Sequence, residues 1–347
     1  MKAVVLRKFG GPEVLAVEEQ PTPTPAPDEV LVRVHSVSVN RTLDLRVRAG
    51  DYNADIRLPH VLGVDPAGVI AAVGQNVNDR RIGDRVAVLS LVSCGVCRYC
   101  QIEEESLCMK SRHIGVHRWG GYAEYAAVPA KNTFLIAPPL SFAEATVISR
   151  HFPMAFNLLE NKAELKSGEW VLIMGATGAL GSCGIQVAKL LGAKVIAGAG
   201  ADDRVTTAMS YGADFGVNYH RQDLAQEVKR ITDGRGVDVV YENIGDPTLW
   251  PGAFNSLGWA GRLVTAGSHG GGQVTLNITK LYLNRQRIIG VAGTNYKDVV
   301  RSLEAAAAGK IRAIINRMMP LREAAAAHRL LEENQSLGKI ILDPTQN

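Results

Sequence analysis

"EWVLIMGATGALGSCGIQVAKLLGAKVIAGAG", residues 169–200, decides the fold. An apolar strand runs straight into glycines at 175, 178 and 181, an apolar helical stretch follows, and a second strand, "AKVIAGAG", comes next. Strands without a polar face, joined through a helix, fit a parallel sheet covered on both sides. A phosphate approaches backbone closely only where no Cβ intrudes, and a new helix offers free N–H groups and a positive dipole end. Gly175, Thr177, Gly178, Ala179, Leu180 and Gly181 are therefore the expected cradle for a pyrophosphate. The spacing is G-x-x-G-x-x-G, with Thr177 where the usual fingerprint has its second glycine. The weight of the motif thus comes from its strand–turn–helix–strand context. A glycine turn serving only helix–strand packing is the competing reading.

The same texture continues outward. "ADFGVNY", "VDVVYENIG", "GRLVTAG" and "RIIGVAG" are short apolar strands separated by helical stretches. Upstream, to about residue 137, the chain alternates in short strands such as "KAVVLRKF", "EVLVRVHSV", "GVIAAVG" and "YAEYAAVP". "PTPTPAPDE" is a stiff extended connector among them. Alanine-rich helical stretches at 305–308 and 324–327 and a last strand, "GKIILDP", close the sequence. With 347 residues, more than one hydrophobic core is expected.

Composition narrows the function. The chain is 46% hydrophobic and 21% charged, and no apolar run reaches bilayer length. Its net charge of +4 is dispersed, with no basic helix interleaved with aromatics. Small-molecule partners are expected, and neither nucleic acid nor membrane. The N-terminal apolar stretch is broken by Arg7 and Lys8, too short for a secretory segment, so the chain is read as cytoplasmic.

A free adenosine 2′-hydroxyl is usually held by Asp or Glu at the end of the second strand. Here that strand ends at Gly200 with no carboxylate, and Arg204 follows at the start of the next helix. A 2′-phosphate welcomes a cation, so NADPH is expected over NADH. Asp202 and Asp203 complicate this, since either could turn toward a ribose.

"SCGVCRYCQIEEESLC", residues 93–108, holds four of five cysteines. Cys94, Cys97, Cys100 and Cys108 can wrap one zinc ion in a closed tetrahedral site with no open position. Two disulfides are the alternative, disfavoured in a cytoplasm. Cys183 reads as a small buried hydrophobe.

"GVDPAGVIAAVG", "GDRV" (83–86), the cysteine lobe, "GGYAEY" (120–125), the glycine turn and "GVDVVYENIG" occur in this order. Together they resemble the medium-chain dehydrogenase/reductase superfamily over essentially the whole chain. The resemblance implies an α/β fold in which a GroES-like β-barrel catalytic domain (1–150 and 294–347, with the zinc lobe) is interrupted by a Rossmann doubly wound parallel-sheet domain (151–293). It implies a homodimer or homotetramer paired through the Rossmann sheet edge, for which "QVTLNITKLYL" (273–283) is the expected segment. It implies that Arg204 and Tyr219, the latter in an Asn218-Tyr219 pair, contact a 2′-phosphate. Asn243 and Gly267 join the expected coenzyme contacts.

Zinc alcohol dehydrogenases resembling this chain carry a cysteine where Asn40 stands, Gly-His-Glu at Gly63-Val64-Asp65, and a further ligand near His151. Val64 has no donor atom and Asn40 is a poor substitute for a thiolate, leaving Asp65 and His151, with Asp44 or His60, for an unusual site. A catalytic zinc is not expected, and without one, alcohol ionisation at neutral pH loses its Lewis acid. Hydride addition to a quinone or an activated C=C needs none, because the coenzyme brings the hydride. The chain is therefore expected to be an NADP(H)-dependent quinone or enoyl reductase with one structural zinc. The alternatives are an alcohol dehydrogenase with substituted ligands, and a nucleotide-binding protein without turnover. Asn40 is expected either to donate to the substrate carbonyl from the cleft wall or to stabilise a turn. Tyr52, in "AGDYNADIRLPHVLG", matches the tyrosine that in enoyl reductases lies over the nicotinamide and can protonate the product; a surface-loop tyrosine is the competing reading. His151 opens the nucleotide domain, where it hydrogen-bonds substrate or packs.

Overall fold

The computed structural model describes residues 1–333 and 337–346. The chain divides into two compact units, Met1–Arg150 with Thr294–Asn347, and His151–Gly293. Among the described residues no helix is long and apolar enough to cross a membrane.

The first unit is built on a seven-stranded sheet. Its order is Thr133–Leu135, Arg85–Val88, Ala67–Val73, Glu29–Ser38, Lys339–Asp343 and Ile315–Pro320, with Tyr125–Pro129 also paired to Glu29–Ser38. A three-stranded sheet joins Leu15–Glu19, Lys2–Leu6 and His60–Val61. Strand Glu29–Ser38 alternates Val30, Val32 and Val34 into a core shared with Val4, Val61, Ile70, Val86 and Val128. The return of the chain is visible in register: Ile341 pairs with Ser38 and Leu342 with Val37, antiparallel.

The second unit is a six-stranded, wholly parallel sheet in the order Phe215–Asn218, Lys194–Ala199, Trp170–Met174, Val237–Glu242, Leu257–Thr265, Arg287–Gly290. The chain winds one way from Trp170–Met174, then returns and winds the other way from Val237–Glu242. Those two strands flank the switch point of a Rossmann sheet, where ligands bind at the carboxyl ends of the strands. Residues 171–174 and 195–197 are fully or nearly fully buried, as strands covered on both faces must be.

One sequence expectation is corrected here. "QVTLNITKLYL" is no strand: Asn277 accepts from Lys280 N at 2.9 Å and caps a helix over Ile278–Leu283. The edge strand is Arg287–Gly290. Val, Thr and Ile in that segment favour a strand by propensity, and the asparagine cap overrides them.

Candidate coenzyme and metal sites

The glycine turn sits at the carboxyl end of the strand beside the switch point. Gly175 has φ +59°, a left-handed conformation that suits glycine. At Gly181 a Cβ would lie 2.2 Å from the Gly175 carbonyl oxygen, so the helix Ala179–Leu190 can approach the turn only without a side chain there. Gly178 caps this helix, and its side-chain-free end leaves the first-turn N–H groups unclaimed by any capping side chain. Thr177 is buried within the turn. The neighbouring loop is fixed to it: Asn243 Nδ2 donates to Met174 O at 2.7 Å, and a Cβ on Gly267 would meet Asn243 O at 2.4 Å. Glu242, not singled out from sequence, is buried and accepts from the N–H groups of Ile244 (2.8 Å) and Gly245 (2.9 Å). Its place at the end of "VDVVYE" was the available signal.

At the tip of the second strand Gly200 lies under Tyr219 and His220; a Cβ there would be 3.0 Å from the imidazole and 3.2 Å from the phenol ring. The Arg204 side chain is exposed and makes no hydrogen bond or ion pair with the described residues. Burial raises the Tyr219 phenol pKa, and the Arg204 charge opposes that rise, which puts the guanidinium within electrostatic reach of the ring. Asp202 does not turn toward this space. Asn218 Nδ2 donates to its Oδ1 at 2.6 Å and Arg221 pairs with its Oδ2.

In the cysteine lobe the four Sγ atoms all lie within 4.8 Å of one another. Cys94 and Cys100 sulfurs are 3.9 Å apart, and Cys97 and Cys100 3.5 Å. A zinc ion with four Zn–S bonds near 2.3 Å sets tetrahedral S···S edges of about 3.8 Å, so the residues fit the ion. None of the five cysteines is in a disulfide. Backbone N–H groups of Val96 and Cys97 pull the Cys94 thiol down to about 6, while burial and the neighbouring sulfurs push Cys100 up to about 11. Four thiolates at this spacing repel one another, and a divalent cation at their centre reverses that cost. The lobe is anchored to residues 295–296: Ser106 N donates to Asn295 Oδ1 at 3.0 Å and Tyr296 N to Glu105 Oε2 at 3.2 Å.

Around Asn40 the structure builds a closed polar cluster. Asn40 Nδ2 lies 3.1 Å from Asp65 Oδ2 and 3.2 Å from each of Asp44 Oδ2, Ser38 Oγ and Ser38 O. Asn40 Oδ1 accepts from the buried Lys339 ammonium at 2.7 Å, which also donates to Val39 O at 3.0 Å. Both faces of the amide are spent inside the protein. The amide expected to face a substrate carbonyl thus lies between two acids and an ammonium. Val64 is wholly buried hydrocarbon, and His60 is held by the Gly115 carbonyl at 3.0 Å. Asp44 accepts from Gly63 N at 3.0 Å and Asn40 N at 2.8 Å, yet burial and the Asp65 charge push its carboxyl up to about 7. Asp44 and Asp65 were named from sequence as candidate ligands, whereas Lys339 was not singled out as a partner of Asn40. Tyr52 is half-buried against the core of the first unit. His151 lies on the helix Phe142–Phe156 and begins the second unit.

Known proteins share this architecture. Residues 26–138 match the family model described as alcohol dehydrogenase GroES-like domain, and residues 179–308 that of zinc-binding dehydrogenase. A protein named NAD-dependent alcohol dehydrogenase from Sulfolobus acidocaldarius is 32% identical over 99% of this chain and 100% of its own. One named quinone oxidoreductase from Sus scrofa is 30% identical over 99% of this chain and 97% of its own. A crystal structure described as NAD-dependent alcohol dehydrogenase superposes with a TM-score of 0.92 at 37% identity, covering 99% of each chain. A GroES-like unit interrupted by a Rossmann unit, with these motifs and relatives along its whole length, makes this chain an oxidoreductase-type member of the medium-chain dehydrogenase/reductase superfamily.

Proposed function

We propose that the chain is an NADPH-dependent reductase of quinones or α,β-unsaturated carbonyl compounds, carrying one structural zinc and no catalytic one. The observation that carries this reading is the donor set at Asn40, Val64 and Asp65. A Lewis-acid site needs several outward-facing donors and an open position. Here one position is hydrocarbon, one is an amide saturated by Asp44, Asp65 and Lys339, and an ammonium already sits against the amide oxygen.

Bound NADPH would supply a hydride to the β-carbon of the acceptor or to the quinone. The remaining work falls to this chain. Backbone N–H groups of the 175–181 turn hold the pyrophosphate, and Arg204 with Tyr219 holds the 2′-phosphate. Tyr52 Oη delivers the proton that completes the reduction. Asn40 keeps Asp44 and Asp65 in place beneath the loop that bears Gly63. His151 contributes a hydrogen bond to substrate. The four cysteines keep their lobe folded. Two chains pair through the edge strand Arg287–Gly290, beside which Trp259, Ile278, Tyr282 and Leu283 leave 55–67% of their surface exposed.

The relatives named alcohol dehydrogenase favour a second reading, an alcohol/aldehyde pair handled with substituted metal ligands. Metal analysis with a panel of quinones, enones, enoyl thioesters, aldehydes and alcohols separates the two. One zinc per chain with NADPH oxidation by a quinone or enone is expected; two zincs with alcohol oxidation would overturn the proposal. Coenzyme binding without turnover on any acceptor would indicate a non-catalytic role. Tyr52→Phe should slow turnover at nearly unchanged NADPH affinity, and equal rates remove Tyr52 from the chemistry.

A further inference from the structure

The exposed Asp202 opens a helix directly after the strand whose tip is to receive the adenosine ribose. A carboxylate in that neighbourhood ordinarily accepts hydrogen bonds from a ribose hydroxyl and repels a phosphate. In this chain both of its oxygens are occupied. Asn218 Nδ2 donates to Oδ1 at 2.6 Å, and the Arg221 guanidinium pairs with Oδ2. Asn218 is itself immobilised. It is buried, its N–H donates to Gln222 Oε1 at 3.1 Å, and its Oδ1 accepts from His220 N at 3.1 Å. Asp202 is thus held by one buried amide that ends the next strand and one exposed cation just after it, while the Arg204 side chain, two residues further along the Asp202 helix, stays unpaired among the described residues.

We propose that Asp202, Asn218 and Arg221 form a clamp that sets coenzyme choice. The clamp withdraws the acid that would hold a free 2′-hydroxyl and cancels its charge, leaving Arg204 unopposed for a 2′-phosphate. This deepens the NADPH reading given above and rests on it. Arg221 acts through Asp202 and is a positioning residue; it need not touch the coenzyme.

The experiment measures dissociation constants of NADPH and NADH for the full chain by titration calorimetry, so that no substrate has to be known. A wild-type protein that prefers NADH sinks the coenzyme reading itself. With a wild-type preference for NADPH, Arg221→Gln should lower the NADPH/NADH affinity ratio about tenfold, the effect of one uncompensated carboxylate near a phosphate dianion in a solvent-exposed pocket. NADH should bind more tightly in that variant. Arg221→Lys should stay near wild type. The decisive protein is the double variant R221Q/D202N. With the acid neutralised, the ratio should return to within about twofold of wild type. A ratio unmoved by R221Q overturns the clamp. So does a loss of NADPH affinity that D202N fails to restore, since Arg221 would then be a direct phosphate contact. Matching thermal transitions across the set exclude general loosening as the cause.

Discussion

Asp44 gives a prediction whose sign and size come directly from the structure. Its carboxyl is fully buried, and burial together with the charge of Asp65 raises its pKa from 3.8 to about 7. A carboxyl raised on folding imposes no penalty below its unfolded value, where both states are protonated. As pH climbs past that value the unfolded chain releases its proton while the folded chain retains it. Stability therefore falls until the folded value near 7 is passed, and is level above it. Between pH 5 and pH 8 this single group should cost about 2–3 kcal/mol, at a maximum slope of about 1.4 kcal/mol per pH unit. The perturbation is Asp44→Asn, which does not titrate. The amide cannot accept from Gly63 N and from Asn40 with the same atom, so the variant loses about 1 kcal/mol of hydrogen bonding at every pH. The assay is urea denaturation of both proteins at equal concentration at pH 5, 6, 7 and 8. Wild-type stability minus that of the variant should be greatest at pH 5 and should fall by about 2–3 kcal/mol by pH 8. A difference that stays constant with pH, or grows as pH rises, refutes the account.

Cys100→Ser should release the zinc and lower the thermal transition by an amount corresponding to about 3 kcal/mol, with turnover retained below the new transition. Zinc loss that abolishes turnover in a still-folded protein would place chemistry at the lobe. Gly181→Ala forces a methyl group to 2.2 Å from the Gly175 carbonyl oxygen. A penalty of about 2–3 kcal/mol and weakened coenzyme binding should follow, and an unchanged calorimetric affinity would show that the turn is not the phosphate cradle. Tyr282→Asp together with Leu283→Asp, beside the sheet edge, should shift the chain to monomer in sedimentation without altering the circular dichroism spectrum. Retention of the wild-type oligomer would move the interface elsewhere.

What could be read from sequence depended on how local the physics was. The glycine turn was legible because backbone geometry at Gly175 and Gly181 excludes other residues, and a strand and helix flank it in sequence. The cysteine lobe was legible because four ligands fall within sixteen residues. The segment 273–283 was placed at the sheet edge on the resemblance alone, and the asparagine cap that commits Ile278–Leu283 to a helix was not weighed. The setting of Asn40 was legible only in part, since Asp44 and Asp65 stood beside it as candidate ligands but Lys339 did not. Its amide meets Asp65 across 25 residues and Lys339 across 299, and no periodicity announces such a meeting. Asp202 could be named from sequence but not oriented, because its two partners lie at and just past the end of the following strand.

The pairing of Lys339–Asp343 with Val37 and Ser38 also bears on the order in which the molecule can be completed during synthesis. The unit encoded first cannot finish its sheet, nor bring the Lys339 ammonium to Asn40, until more than three hundred residues have left the ribosome. The nucleotide unit, encoded second as one uninterrupted stretch, has all its strands available sooner. For that interval two acidic side chains of the nascent barrel wait without their cationic neighbour, an unfinished core of the kind that chaperones retain.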